Sequence, residues 1–477
     1  MTRACSAMRR RGRAGFTLIE LSCALIAGLL VSMALVQVSK EANNTFHEEV
    51  RAAAAEMSLR IALERLRGDL QRVSFMSTGN IQGDPGCAKK KTYIGPSPCL
   101  SNVTVPVNGL SRLAGIQLQP GGSFAATALL SGNANNNLNP DTIQLAGNYS
   151  SNDEFVGHYC PTNPVGGGCG GQTICLEWNT PAMWRIRNSG PVAAAAQTLQ
   201  SYFNPSFYTN PAVGPGVTRF MARVTNDDTG RYVFVLTCGG AATTGMNGVG
   251  AQVNLDSNTP MLSAFDTGGK GGRGGWGGGH VIVSPIEFVS WQLQPANAIP
   301  VAGINGFGVT APLTADPNEY VLTRGYGDAL AGPPYTPDPN TLEIISEYAV
   351  DLKFAFTVDS SNPLLVTPPG AFPVGANPLL PLILDSAANA AWAQDVSLVT
   401  PYIGPVGPQR IRSVRVRTAI RTAAPDRIAN VPPTPIIAGQ PYMYRYFIPS
   451  AANGLQWARV RTGVTEAALP NQARYFW

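Results

Sequence analysis

Few side chains in this chain have the type and spacing to do chemistry, and the most unusual of them is Glu20. It lies inside "GFTLIELSCALIAGLLVSMALVQV", where it carries the only formal charge between residues 16 and 38. A carboxylate in such a run costs at least ~2.5–3.5 kcal/mol to insert in a bilayer, so it is normally kept for a partner. Six cysteines follow the apolar run: Cys87, Cys99, Cys160, Cys169, Cys175 and Cys238. An even number in an oxidising compartment predicts three disulfides. Cys87 and Cys99, which enclose only eleven residues rich in Lys and Pro, are the favoured local bridge, and the other four then allow three pairings. A zinc site is the competing reading, but Cys160, Cys169 and Cys175 lack C-x-x-C spacing, and only His158 and His280 stand beside them.

The remaining motifs are weaker. Gly269-x-Gly271-x-x-Gly274 has the form of a dinucleotide fingerprint, but more glycine follows it where a helix N-terminus is needed. Lys270, Arg273 and Trp276 in the same segment suit a single nucleic-acid strand, while a plain surface loop is the simpler account. His47-Glu48-Glu49 lacks the second histidine of a zinc-protease helix. Asp227-Asp228 reads as a hairpin turn, and no calcium-loop spacing surrounds it. No nucleophile elbow, metalloprotease helix or P-loop signature occurs. The sequence thus predicts no enzyme, no metal and no cofactor.

The elements that position Glu20 are legible. Residues 16–38 are long enough for one helix to cross a ~30 Å hydrocarbon core. Five of the 34 basic residues, including Arg9, Arg10, Arg11 and Arg13, precede Gly15, and no acid does. That bias places the N-terminus in the cytoplasm. The net charge of +5 belongs to this leader, because the basic residues beyond Gly15 equal the 29 acids in number. It therefore implies no acidic partner for the folded part. A secretory signal would have its cut site after a shorter apolar core; here the one candidate, Gly15-Phe16, precedes the run. Phe46, Val50, Ala53, Met57, Ile61, Leu66, Leu70 and Val73 then continue an apolar stripe at helical spacing. With no proline between 16 and 75, both segments predict one rod of about 90 Å at 1.5 Å per residue. The stripe after Phe46 is expected to cover a globular head.

Beyond residue 76 the pattern changes to period two. "SEYAVDLKFAFTV" (346–358) puts Tyr348, Val350, Leu352, Phe354 and Phe356 on one face. In 413–422, Val414, Val416 and Ile420 oppose Arg415, Arg417 and Arg421. Shorter strands are expected at 220–224, 231–238, 281–293 and 320–324. One-sided alternation of this kind fits an antiparallel sheet with a solvated face. Residues 76–280 read as a loop-rich β region with the cysteines, and 281–477 as a C-terminal antiparallel β region. The fold class expected is α+β: a long N-terminal helix packed on a mostly antiparallel sheet with disulfide-bearing loops.

"GFTLIEL" after a basic leader resembles the type IV prepilin signal. That resemblance implies cleavage between Gly15 and Phe16 by a prepilin peptidase, methylation of the Phe16 amine, and pairing of Glu20 with the N-terminus of a neighbouring filament subunit. "LRGDLQRVSF" (66–75), "SEYAVDLKFAFTVD", "PQRIRSVRVRTAIRTAAPD" and "ARVRTGVTEAALPNQARY" further resemble PilW-type minor pilins. The implied partners are other major and minor pilins, the prepilin peptidase and the inner-membrane assembly machinery. The implied location is the inner membrane with a periplasmic head, and then the pilus. The helix end is shared with minor pseudopilins of type II secretion, and an adhesive or DNA-capturing pilus subunit is the other alternative. The region from 80 to 280 departs from the family pattern.

Overall fold

A computed structural model describes residues 17–81, 84, 113–119, 140–159, 170–188, 199, 202–203, 220–227, 232–241, 251–256, 280–296, 299, 319–327, 337, 341–358, 408–425, 445–448 and 457–473. The chain divides into two units, Met1–Ala54 and Ala55–Trp477. One helix, α1 (Leu18–Gln71), runs without a break through both. The absence of internal proline permits that length, and Thr17 starts the helix with a capping box described below. Its N-terminal part is long and apolar enough to cross a membrane.

The second unit is built from antiparallel strands. In chain order they are β1 (Ile116–Gln119), β2 (Thr142–Gly147), β3 (Phe155–Tyr159), β4 (Gly170–Leu176), β5 (Phe220–Asn226), β6 (Tyr232–Ala241), β7 (Gln252–Asp256), β8 (Val281–Pro295), β9 (Tyr320–Gly327) and β10 (Glu343–Glu347) in one sheet. β11 (Ala349–Val358), β12 (Ile411–Arg421), β13 (Arg445–Phe447) and β14 (Trp457–Ala468) form a second, in the order β11-β12-β14-β13. Two short helices are α2 (Pro181–Asn188) and α3 (Pro470–Ala473). The protein is therefore α+β, with antiparallel sheets and one long apolar helix.

β8 organises the larger sheet because its 15 residues serve two neighbours on each edge. Val281–Ile286 pairs with β5, and Val281–Val283 also pairs with β3. The ring β8-β3-β4-β7-β6-β5 closes on itself. Phe155, Ile174, Val224, Val235, Val253 and Val283 fill its core, with Met183 and Ile186 of α2. Past Ile286, β8 pairs instead with β2 and β9. There Ile143, Leu145, Val289, Trp291 and Leu322 meet Leu352, Phe354, Phe356, Val414 and Val416 of the second sheet. Ala55, Leu59, Ala62, Leu66 and Leu70 of α1 belong to the same core. A fully buried leucine contributes roughly 1.5–3 kcal/mol, so this face holds the helix firmly. Gly463 marks the closest approach: a Cβ there would lie 2.6 Å from Leu63 Cδ1.

Four expectations need correction. The helix ends at Gln71, short of 75, because the chain turns to join β2: Ser74 N–H donates to Ala146 C=O at 2.8 Å. The stripe that packs is not the one expected in its first half. Phe46, Val50, Met57 and Ile61 are exposed, and the packed positions fall on the opposite side of the helix. The single strand expected at 346–358 is two strands in different sheets. They are separated by Tyr348 at φ 55°, a left-handed conformation that costs a bulky residue roughly 1–2 kcal/mol. The bulge between Ala349 and Asp351 then turns Val350 away from Leu352 and Phe354 into another cluster. Finally, Arg421 is not on a solvated face. It is 1% exposed and sits over the rings of Tyr348 (4.8 Å) and Tyr446 (5.5 Å). Its Nη1 donates to the carbonyls of Thr422 and Ala423.

Candidate functional site

The expected processing site is only partly visible. Gly15, Phe16 and the leader arginines lie outside the described residues. Thr17 and Glu20 are described, and they bond each other. The Glu20 N–H donates to Thr17 Oγ1 at 3.3 Å, while the Thr17 N–H and Oγ1–H each donate to Glu20 Oε2 at 3.4 Å. This reciprocal pattern is a capping box, in which a Thr and a Glu three residues on satisfy the first orphan donors of a helix. Sequence reasoning missed it, although the signal T-x-x-E was there to find. Around it Leu18, Ile19 and Leu21 are 82, 74 and 56% exposed. Glu20 therefore begins a bare apolar helix, with one carboxylate oxygen engaged locally.

At the other end of α1 a buried polar cluster fixes the helix to the sheet. Asp69 is 7% exposed, and its Oδ2 accepts from Trp291 Nε1–H at 2.9 Å and Arg324 Nε–H at 2.7 Å. The Arg324 guanidinium also sits 4.9 Å from the Tyr326 ring centre and 3.8 Å from Glu343. Burial alone would lower its pKa, but the Asp69 carboxylate beside it more than offsets this and raises it. Next to it Glu287, fully buried, accepts the Tyr149 N–H at 2.9 Å. Burial pushes Glu287 up to about 7, with Tyr149 and Arg324 opposing. The Tyr149 carbonyl accepts Arg72 Nη1–H at 2.7 Å, and Arg72 also bonds Asn152. Asn471 of α3 completes the helix end, donating to the carbonyls of Gln71 (3.1 Å) and Val73 (3.2 Å). The Gln71 carbonyl is one of those a helix C-terminus leaves unpaired, and Val73 lies in the turn just beyond.

No family model, curated relative or solved structure matches the chain.

The other expected groups scatter. Cys175 lies in β4 and is disulfide-bonded, whereas Cys23 in α1 is a free, exposed thiol. Cys238 lies in β6; Cys87, Cys99, Cys160 and Cys169 fall outside the described residues, as do Lys270, Arg273 and Trp276. His158 faces Cys175 across β3 and β4, and His280 Nδ1 bonds Glu177 at 2.5 Å on the surface. Among the described residues no three His, Cys, Asp or Glu side chains converge on one point. Asp227 sits in the turn that joins β5 to β6, as its sequence context suggests. One end of α1 presents a charge in an apolar surface, and the other end anchors to the larger sheet.

Proposed function

We propose that the chain is a PilW-like minor pilin, cut between Gly15 and Phe16, methylated at Phe16, stored in the inner membrane and assembled into a type IV pilus. The observation that carries this reading is the second apolar face of α1. Phe46, Val50, Met57 and Ile61 are spaced four, seven and four residues apart and so share one face. They are 66, 48, 66 and 50% exposed. The positions that join the head core, Ala55, Leu59, Ala62, Leu66 and Leu70, lie roughly opposite at 100° per residue. A helix that is apolar on both sides requires two partners. The sheets supply one, and a filament of like helices would supply the other. Glu20 at the start of the same bare helix suits an assembly in which a free amine of a neighbour meets it.

The test is the double substitution Met57→Glu and Ile61→Glu. Both side chains point away from the head core, so folding and membrane insertion should persist. Incorporation into sheared pili should fall at least tenfold, since two buried charges oppose each subunit contact. Normal incorporation would remove the main support for the reading. A deletion strain that keeps its pili and loses exoprotein secretion would move the chain to the pseudopilins.

A further inference from the structure

Where the lead-in to β2 crosses β11, four charged side chains gather. Asp141 has no exposed side-chain surface. Its N–H donates to the Leu352 carbonyl at 2.7 Å, and its Oδ2 accepts from the Phe354 N–H at 3.3 Å. The carboxylate is thus pinned against β11. Lys353 Nζ stands 2.8 Å from Asp141 Oδ1. Asp351 lies two residues before Lys353 and shares its face of the strand. Arg417, directly opposite Lys353 on β12, donates to Asp351 Oδ2 from Nε at 3.1 Å and Nη2 at 2.9 Å. Asp351 is 1% exposed, and its other oxygen, Oδ1, is buried with no hydrogen-bond partner.

We infer that Lys353 and Asp141 condense into an intramolecular isopeptide bond, with Asp351 relaying the proton. A nitrogen in hydrogen-bond contact with one carboxylate oxygen is close to the near-attack separation of ~3–3.5 Å from the carboxyl carbon. Folding fixes one group on β11 and the other in the lead-in to β2, so no further ordering is needed for them to meet. Lys353 Nζ bonds Asp141 and not Asp351 Oδ1 in this structure, so the ammonium first turns to that oxygen and gives it a proton; the freed lone pair then attacks Asp141 Cγ. The Nζ–Cγ bond forms and one Cγ–O bond breaks. The departing oxygen takes up the proton held by Asp351 and a second one shed by Nζ, and leaves as water. One ammonium and one carboxylate become one amide and one water, with no oxidant, reductant or cofactor consumed. Burial raises Asp351 above the usual carboxylate range against the opposing pull of Arg417 and Lys353, which suits it to hold a proton. The bond would tie the ten-stranded sheet covalently to the four-stranded one across 212 residues of chain. It does not depend on the filament reading, although a subunit under tension would benefit from it.

The experiment is intact-mass measurement and tryptic mapping of the full chain in detergent, after reduction and alkylation. Wild type is expected to weigh one water less than its processed sequence and to resist trypsin after Lys353. It should also yield a branched peptide joining the segments that contain Asp141 and Lys353. Lys353→Arg, which keeps the positive charge, and Asp141→Ala should both restore the full mass. Asp351→Asn should fold, as judged by circular dichroism, yet retain most of the full mass. Wild type at full mass and cut after Lys353 would leave an ordinary ion pair and overturn the inference. Water loss that persists in Lys353→Arg would overturn it too. Equal bond formation in Asp351→Asn would overturn the part assigned to Asp351.

Discussion

Glu287 makes the stability of the head fall as pH rises, in a window set by its own titration. Its carboxyl is raised from 4.5 to about 7 in the folded chain, mainly because burial penalises the anion. The folded state therefore binds a proton more tightly than the unfolded state. Stability is greatest below pH 4.5 and declines as pH rises through 7, where the native chain must hold a buried carboxylate. A shift of that size corresponds to about 3 kcal/mol at 1.36 kcal/mol per unit. Glu287→Gln keeps the shape and the acceptor for the Tyr149 N–H but cannot ionise. At pH 4.5 the substitution should be nearly neutral. At pH 8 it should stabilise the chain by about 2–3 kcal/mol, less roughly 1 kcal/mol for the lost charge-assisted bond.

Urea unfolding of the detergent-solubilised chain at several pH values measures this directly. Asp351 is also raised by burial and adds a slope of the same sign. The informative quantity is therefore the difference between wild type and variant at each pH. That difference should open between pH 5 and 8 in favour of the Glu287→Gln chain. A difference that stays constant across the range would mean that Glu287 keeps the same ionisation in folded and unfolded chains, and the argument from burial would fail.

Asp69→Ala strands the Arg324 guanidinium in the core and should cost about 3–5 kcal/mol, whereas replacing Asp69 and Arg324 together by apolar residues should cost much less; a double-mutant cycle by denaturant unfolding decides between them. Cys175 has a narrower choice of partner than the sequence allowed. Cys238 lies in β6, on the far side of β7 from it, so two strand spacings of ~4.8 Å put it beyond the ~7 Å limit for a bridge. If Cys87 pairs with Cys99, Cys175 is left with Cys160 or Cys169, and non-reducing peptide mapping should recover one of those links; a Cys175–Cys238 peptide would refute the register. Glu20→Gln preserves a capping box and removes the charge, so it should insert, be cleaved and yet fail to enter filaments, while Glu20→Ala additionally loses about 1 kcal/mol of helix capping. Equal incorporation of Glu20→Gln and wild type would assign Glu20 to capping alone.

What the sequence discloses depends on how local its cause is. The strands expected at 220–224, 231–238, 281–293 and 320–324 all exist, because runs rich in β-branched and aromatic residues suit strands, even though β8 and β9 prove buried on both faces and not on one. β1, with four residues, and β7, with five, are too short for a period to register. The packed face of α1 is hidden from the sequence for a physical reason: Met57 and Ile61 are as apolar as Leu59 and Ala62, so spacing alone cannot say which side meets the head. Asp69 looks like one more charge in "LRGDLQR", yet its partners Trp291 and Arg324 lie 222 and 255 residues away. Nothing near Asp69 in the chain announces them. The same is true of Asp141 and Lys353, which only the crossing of β2's lead-in over β11 brings together.

These long-range contacts converge on one place. The last turn of α1 and the residues after it are held by Trp291 of β8 and Arg324 of β9 through Asp69. The turn after β2 holds it through Arg72, and α3 at the far C-terminus holds it through Asn471. Gly147 belongs to the same arrangement, since a Cβ there would lie 2.6 Å from the Arg72 carbonyl and push the turn off the helix. Asn471 lies 400 residues beyond Gln71, so that carbonyl stays uncapped until the distant segment has folded back onto the helix. A head fastened this way transmits load between α1 and the larger sheet through the buried bonds of Asp69, with the half-buried Arg72 bond and the exposed Asn471 bond beside them. For a subunit proposed to be pulled from a membrane by its helix, that is the junction at which a weak contact would cost the most.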